Sequence, residues 1–139
     1  MNFSKYVNLP FKNLGRDFNG VDCYGLVYLI YKEELEIIIP DFTELCYSQE
    51  WYRKQDESII TAHIDKRWIS VDPPFKRFDG VIFYKHPNSM MANHVGLMID
   101  SSKFIHVRED DVSMVSELNQ NYWKSRLYGG MRYNGINNI

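Results

Sequence analysis

Apolar side chains at Cys23, Leu26, Val27, Ile30 and Tyr31 recur at i, i+3, i+4, i+7 and i+8, which predicts one buried face of an α-helix. Asp22 stands where an N-cap belongs, and Pro40 stops anything that would continue past the Ile37-Ile38-Ile39 run. Residues 42–70 carry a weaker helical pattern, with Trp51, Ile59, Ile60 and Ile64 as inward positions. The period then changes. Residues 78–84 (FDGVIFY), 94–100 (HVGLMID) and 103–108 (KFIHVR) are short, β-branched and aromatic, and are bounded by Pro, Asn, Ser and Asp, as strands are. The segment 119–135 predicts a helical turn or two, then a short strand around Met131 to Tyr133. Helices first and an antiparallel meander afterwards, with no βαβ alternation, predict an α+β domain.

With 139 residues, no repeat and no linker, the chain reads as one domain spanning 1–139. Hydrophobic residues make up 45% and charged residues 24%, which excludes a disordered or fibrous chain. A net charge of −2 with no block of like charges argues against a nucleic-acid or lipid surface. No apolar run approaches the ~20 residues of a membrane span, so membrane insertion is not expected. The opening MNFSKYVNLPFKN lacks the basic segment and apolar stretch of a secretory signal; synthesis in a host cytoplasm, with delivery by other means, is the expectation.

Only two cysteines are present, Cys23 and Cys46, too few for a disulfide framework. Cys23 falls at the first turn of the predicted helix, where unpaired N–H groups and the macrodipole favour a thiolate and can stabilise an oxyanion. A small buried hydrophobe is the equally good alternative on these residues alone. A nucleophilic cysteine needs a base, and the base a polar orienter. His94 and His106, on neighbouring strands, could fill both roles. His63 and His86 read as ordinary surface or half-buried histidines. A plain two-residue turn at Ser101-Ser102 would set Leu97 opposite His106 and point the two rings to opposite faces. A working pair therefore requires a three-residue loop or a bulge between residues 97 and 105.

Four blocks together resemble the NlpC-type cell-wall cysteine peptidases: Phe11-Lys-Asn-Leu-Gly15, Gly20-Val-Asp-Cys23-Tyr-Gly-Leu-Val27, Asn93-His94-Val-Gly-Leu-Met-Ile99 and Phe104-Ile-His106. The aromatic after Asp22-Cys23, the IIIPDF segment at 37–42, the NHVG at 93–96 and the C-terminal end resemble the branch found among phage tail-assembly proteins. The likeness runs from about residue 9 to 133, with little from 43 to 77. It implies a small papain-like fold with a nucleophile helix packed on an antiparallel sheet. Cys23 would be the nucleophile, His94 the base and His106 its orienter, with no metal and no cofactor. The implied substrate is a peptidoglycan stem peptide, cut after a γ-linked D-glutamate.

Three positions implied to meet substrate carry their own questions. Phe11 stands where the family often has a tyrosine, and lacks the hydroxyl donor. Tyr24 replaces the family's usual serine. Asp22 matches an acidic neighbour that can contact the substrate's amine, a role compatible with capping the helix. The family's Gly-Asp before the first sheet strand is reversed, as Asp79-Gly80. The tail-assembly likeness implies tail-tip or hub proteins as partners and the tail tip of a virion as the location. Trp123, Tyr122 and Tyr128 are candidate anchors there, with packing on the sheet as Trp123's other reading. A largely structural tail protein, a cytoplasmic wall-peptide recycling peptidase and a related amidase or acyltransferase are the competing readings. The Cys-before-His order and His106 stand against the last.

Overall fold

The computed structural model describes residues 1–40, 68–84, 86–88 and 92–135. A hairpin of β1 (Arg16–Asp17) and β2 (Gly20–Val21) leads into α1 (Cys23–Ile30), which widens into a π turn over Tyr31–Leu35. The helix ends where Glu36 turns left-handed at φ 56°, so Ile37 to Ile39 fall outside it. Six antiparallel strands follow: β3 (Trp68–Val71), β4 (Gly80–Tyr84), β5 (Ala92–Met98), β6 (Lys103–His106), β7 (Met114–Glu117) and β8 (Leu127–Tyr133). A short helix α2 (Asn121–Lys124) precedes β8. The sheet order is β3-β8-β4-β5-β6-β7. The α+β architecture is as the periodicities predict, and the helix packed on an antiparallel sheet is as the resemblance implies.

Two expectations change. Trp68–Val71 is a strand and not the end of a helix, because it completes the sheet by pairing with β8 from Trp68↔Tyr133 to Val71↔Gly130. Residues 42–67, which include Cys46, Trp51, Ile59, Ile60, His63 and Ile64, lie outside the described residues. The edge strand β7 was also not expected. Its alternate residues Val115 and Glu117 are exposed, so it offers no apolar run to read.

Both faces of the sheet are covered, which is why β4 is buried at four successive positions instead of alternating. Leu26, Val27 and Ile30 of α1 pack on one face with Ile82, Val95, Leu97, Ile105 and Val107. On the other face Phe75, Val81, Phe83, Met98, Phe104 and Trp123 form a second cluster. Tyr31 ties the layers together: it is fully buried, its hydroxyl donates to the Phe78 carbonyl at 2.6 Å, and its ring meets Trp68, Phe78 and Tyr133. Ahead of the helix, the N-terminal segment docks on the lead-in to β7. The buried Ser113 hydroxyl donates to the Tyr6 carbonyl at 2.5 Å and accepts from Leu9 N at 2.9 Å.

Asp79 sits at the mouth of β4 with 1% exposure. Its carboxylate takes a two-pronged grip from Arg132 of β8, with both contacts at 2.8 Å, and accepts from Lys76 N at 2.8 Å. Asp79→Ala leaves the guanidinium and a backbone donor without their acceptor. It should lower stability by about 3 kcal/mol, read as a fall in the denaturant midpoint at unchanged slope. A midpoint within experimental error of wild type would show that the pair is idle.

Candidate active site

Asp22 begins the site by fixing the start of α1. Its backbone is extended, and Oδ1 accepts from Gly25 N at 2.7 Å and from Arg16 Nη1 at 2.8 Å, while Oδ2 accepts from Leu14 N at 2.9 Å. The cap brings the loop before the helix so close that a Cβ on Gly25 would lie 1.9 Å from the Gly15 carbonyl oxygen. Glycine is required there by space. Asp22 is buried, and the carboxylate expected to reach a substrate amine is engaged in holding the helix terminus.

Cys23, the next residue, is half-buried, and its sulfur is within hydrogen-bonding reach of the backbone N–H groups of Val95 and Tyr24. The helix terminus was expected to lower its pKa. The direction is reversed. Burial, then the adjacent Asp22 charge, push the thiol up to about 12, against the smaller opposing pull of Val95 N–H, Arg16 and Tyr24 N–H. The isolated thiolate is thus scarce at neutral pH, and the proton must have somewhere to go.

Strand β5 meets β4 with a bulge: Phe83 faces His94 but Tyr84 faces Ala92, which leaves Asn93 as the extra residue. Past the bulge, Val95 and Leu97 point to α1, as does Ala92 before it. His94 turns the other way. The expected three-residue loop follows: Ile99 N donates to the Lys103 carbonyl at 2.9 Å, with Asp100, Ser101 and Ser102 between them. Leu97 therefore pairs with Ile105, and Met98 with Phe104. In that register His94 and His106 share a face as diagonal neighbours. Their rings join, His94 Nε2 to His106 Nδ1, at 2.9 Å. Gly96 stands across from His106, where a Cβ would lie 2.7 Å from Phe104 Cδ2 and 3.4 Å from His106 Cβ. A side chain there would push the second histidine aside.

Aromatic rings enclose the pair. Trp123 stacks on His94 with centroids 5.6 Å apart at 24° and presents itself edge-on to His106 at 4.7 Å. Phe83 and Phe104 complete the wall. Trp123 is 6% exposed, so it belongs to this box and not to an outer docking surface; Tyr122 and Tyr128 are exposed. Outside the box the Arg108 guanidinium lies 5.6 Å from the Trp123 ring centre and 5.8 Å from that of Tyr122. Burial, the charge on His106 and Arg108 hold His94 well below its usual range, and burial with Arg108 pushes His106 down to about 3.

The other expected positions make contacts of their own. Phe11 is half-buried, bridges Val21 in parallel and takes the Asp111 carbonyl on its N–H at 3.0 Å. Tyr24 gives its hydroxyl to the Pro40 carbonyl at 2.5 Å, with Arg16 over its ring at 5.4 Å. His86 is exposed, as expected of it. Among the described residues no three His, Cys, Asp or Glu side chains are grouped to hold a metal ion, and no helix is long and apolar enough to cross a membrane. Residue-level reasoning missed Ser116, whose Oγ meets His106 Nε2 at 2.8 Å, and Arg108. The Met114–Glu117 alternation was the available signal for Ser116.

The model of the NlpC/P60 family matches residues 8–132. The chain is 23% identical over 133 residues to the gamma-DL-glutamyl hydrolase of Bacillus subtilis, covering 95% of this chain and 28% of that one. It is 29% identical over 114 residues to the murein DD-endopeptidase MepH of Escherichia coli, covering 81% and 36%. This chain thus spans about a third of the length of these curated relatives. Among solved structures, an NlpC/P60 family protein from Bacillus cereus superposes with a TM-score of 0.64 at 23% identity, over 92% of this chain and 36% of that one. One from Staphylococcus aureus does so with a TM-score of 0.61 at 20% identity, over 96% and 39%.

The depressed histidines carry a stability consequence. The unfolded chain binds their protons near pH 6.5, the folded chain only far below it, so the unfolded state is favoured progressively as pH falls. The contribution of His106 is complete above about pH 6.5 and is lost toward about pH 3, at up to ~1.4 kcal/mol per pH unit, and that of His94 runs in the same direction. Thermal melts from pH 8 to pH 4 should show Tm falling through this window, less steeply in His106→Gln. An equal slope in the variant would remove His106 from the account.

Proposed function

Because this chain belongs to the NlpC/P60 family, we propose that it is a cysteine endopeptidase acting on peptidoglycan stem peptides, with Cys23 as nucleophile, His94 as base and His106 as its orienter. The observation that carries this is the 2.9 Å link between the two rings, on the strand whose Val95 N–H meets the Cys23 sulfur. His94 Nε2 is taken by His106, which leaves Nδ1 for the thiol. As sulfur attacks the scissile carbonyl, its proton passes to Nδ1, so the unfavourable free thiolate need never accumulate. The imidazolium then donates through Nε2 to His106. When the C–N bond breaks, Nδ1 returns the proton to the leaving amine and a thioester remains. Water, deprotonated by Nδ1, attacks that thioester, and its collapse releases the carboxylic acid and restores the thiol.

Cleavage after γ-linked D-glutamate is the finer reading, supported by the family likeness of the sequence blocks and by similarity to a protein named as a gamma-DL-glutamyl hydrolase. The tail-assembly character of the NHVG and IIIPDF segments supports a place at the tail tip of a phage or phage-like particle, next to hub proteins. The exposed Tyr122 and Tyr128 are the anchors this would use. In such a particle, docking supplies a high effective concentration at the wall.

Purified peptidoglycan digested with wild type should release fragments cut after D-glutamate by mass spectrometry, and Cys23→Ala should release none. An intact wall, or equal products from both proteins, would sink the peptidase. Iodoacetamide should label Cys23 in wild type at neutral pH, and His94→Ala should slow that labelling at least about tenfold, because the base is gone. Equal rates would mean that His94 does not take the thiol proton. For the location, gradient-purified particles should contain the chain; its presence in lysate and absence from particles would remove the tail-tip placement.

A further inference from the structure

The chain of polar contacts does not stop at the second histidine. His106 is fully buried, and among the described residues its ring nitrogens have one polar neighbour each: His94 Nε2 at Nδ1 (2.9 Å) and Ser116 Oγ at Nε2 (2.8 Å). Ser116 sits on β7, paired with Phe104, so the β6–β7 register makes it a diagonal neighbour of His106 and brings its hydroxyl to that ring. We propose that Ser116 is a positioning residue that sets the tautomer of His106 and, through it, the nitrogen on which His94 holds its proton. This deepens the peptidase reading and rests on it.

Two neutral imidazoles joined nitrogen to nitrogen have two consistent arrangements. In the first, His94 carries its proton on Nε2 and donates to His106 Nδ1, while His106 carries its own on Nε2 and donates to Ser116 Oγ. In the second every bond is reversed: the serine hydroxyl donates to His106 Nε2, His106 donates from Nδ1, and His94 holds its proton on Nδ1. Only the first leaves Nδ1 bare to take the thiol proton. The second is idle.

Removing the hydroxyl changes the balance between them. The first arrangement would then bury an N–H against Phe104 and Trp123 with no acceptor, whereas the second would bury only an unused lone pair. Orphaned buried donors are the rarer and costlier kind. The idle arrangement gains, and the base is lost without displacement of a ring. The charged or titratable groups that act on His106 are His94 and Arg108; Phe83, Phe104 and Trp123 supply only ring surface to the enclosure. Ser116 is thus the neighbour at Nε2 through which the tautomer can be set.

The test uses the full chain. Nitrogen NMR of the histidine rings in Cys23→Ala should find the His106 proton on Nε2, and the additional Ser116→Ala change should move it to Nδ1. On peptidoglycan peptide, Ser116→Ala alone should lower kcat about 10- to 100-fold with KM nearly unchanged, and Ser116→Thr, which keeps the hydroxyl, should recover most of it. If Ser116→Ala does not fold, Ser116→Cys, near-isosteric with a weak acceptor, should give the same two shifts. A His106 proton on Nδ1 while Ser116 is present, or wild-type kcat in Ser116→Ala, overturns the proposal. Should wild type cut no peptide at all, the peptidase reading falls instead, and the NMR measurement still decides the role of Ser116.

Discussion

The Asp100 carboxylate accepts from Ser102 N and Lys103 N, both at 2.8 Å, and from the Ser102 hydroxyl at 3.2 Å. Those bonds close a loop of three residues between Ile99 and Lys103, and the side chains beyond it depend on that number. With one residue fewer, every inward side chain of β6 would change faces relative to β5. His106 would then enter the α1 core as an unpartnered polar group, and Ile105 would face the aromatic box. The backbone N–H of Ser102 is the foremost cause that holds the Asp100 carboxyl below its usual range. The loop is therefore set at neutral pH by an ionised group in water, while the pair it aligns is kept neutral in a shell of rings.

That neutrality decides how charge enters the site. Burial opposes charge on sulfur and on both imidazoles at once, and Arg108 adds to the resistance on the histidines. A resting thiolate–imidazolium pair is therefore disfavoured relative to thiol and free base. In the proposed reaction sulfur and His94 would become charged together, when a carbonyl is present to receive the attack, and the new charges would attract one another at short range in a poorly solvated setting. On that reading the helix N-terminus would act on the anion formed at that moment and would not store one beforehand.

What was legible in the sequence follows the range of the interaction that determines it. Leu26, Val27 and Ile30 announce α1 because helical spacing is local, and Asp22 announces its cap for the same reason. Short β-branched and aromatic runs bounded by turn residues announced β4, β5 and β6, and the need for both histidines on one face required the odd loop. Other features depend on partners far along the chain. Trp68–Val71 is a strand because β8 is there to pair with it. Trp123 looks like an exposed anchor beside Tyr122 until Phe83, Phe104 and the two histidines fold beneath it. Ser116 is one serine in a short polar strand, and only the β6–β7 register makes it a neighbour of His106. The thiol pKa went the wrong way because a helix terminus can be read from sequence, whereas the depth of burial at that terminus cannot.

The two apolar clusters on either side of the sheet pose a geometric problem for the proposed pairing of Cys23 with His94, and the bulge bears on it. Cys23 packs with the α1 cluster, whereas His94 lies among the rings of the other. In a regular strand, residues on opposite faces cannot approach one another, since the sheet itself intervenes. At Asn93–His94 the pleat is broken by one extra residue, the local twist rises, and the strand presents Val95 N–H to the sulfur immediately beside the residue that carries the imidazole. The bulge leaves a mark in the form of Asn93 Oδ1, buried without a hydrogen-bond partner. An unsatisfied amide oxygen opposes folding, and a regular β5 would keep Cys23 and His94 on separate faces. The seam between the two cores, opened at that single residue, is where the proposed reaction would bring a helix-borne thiol to a strand-borne histidine.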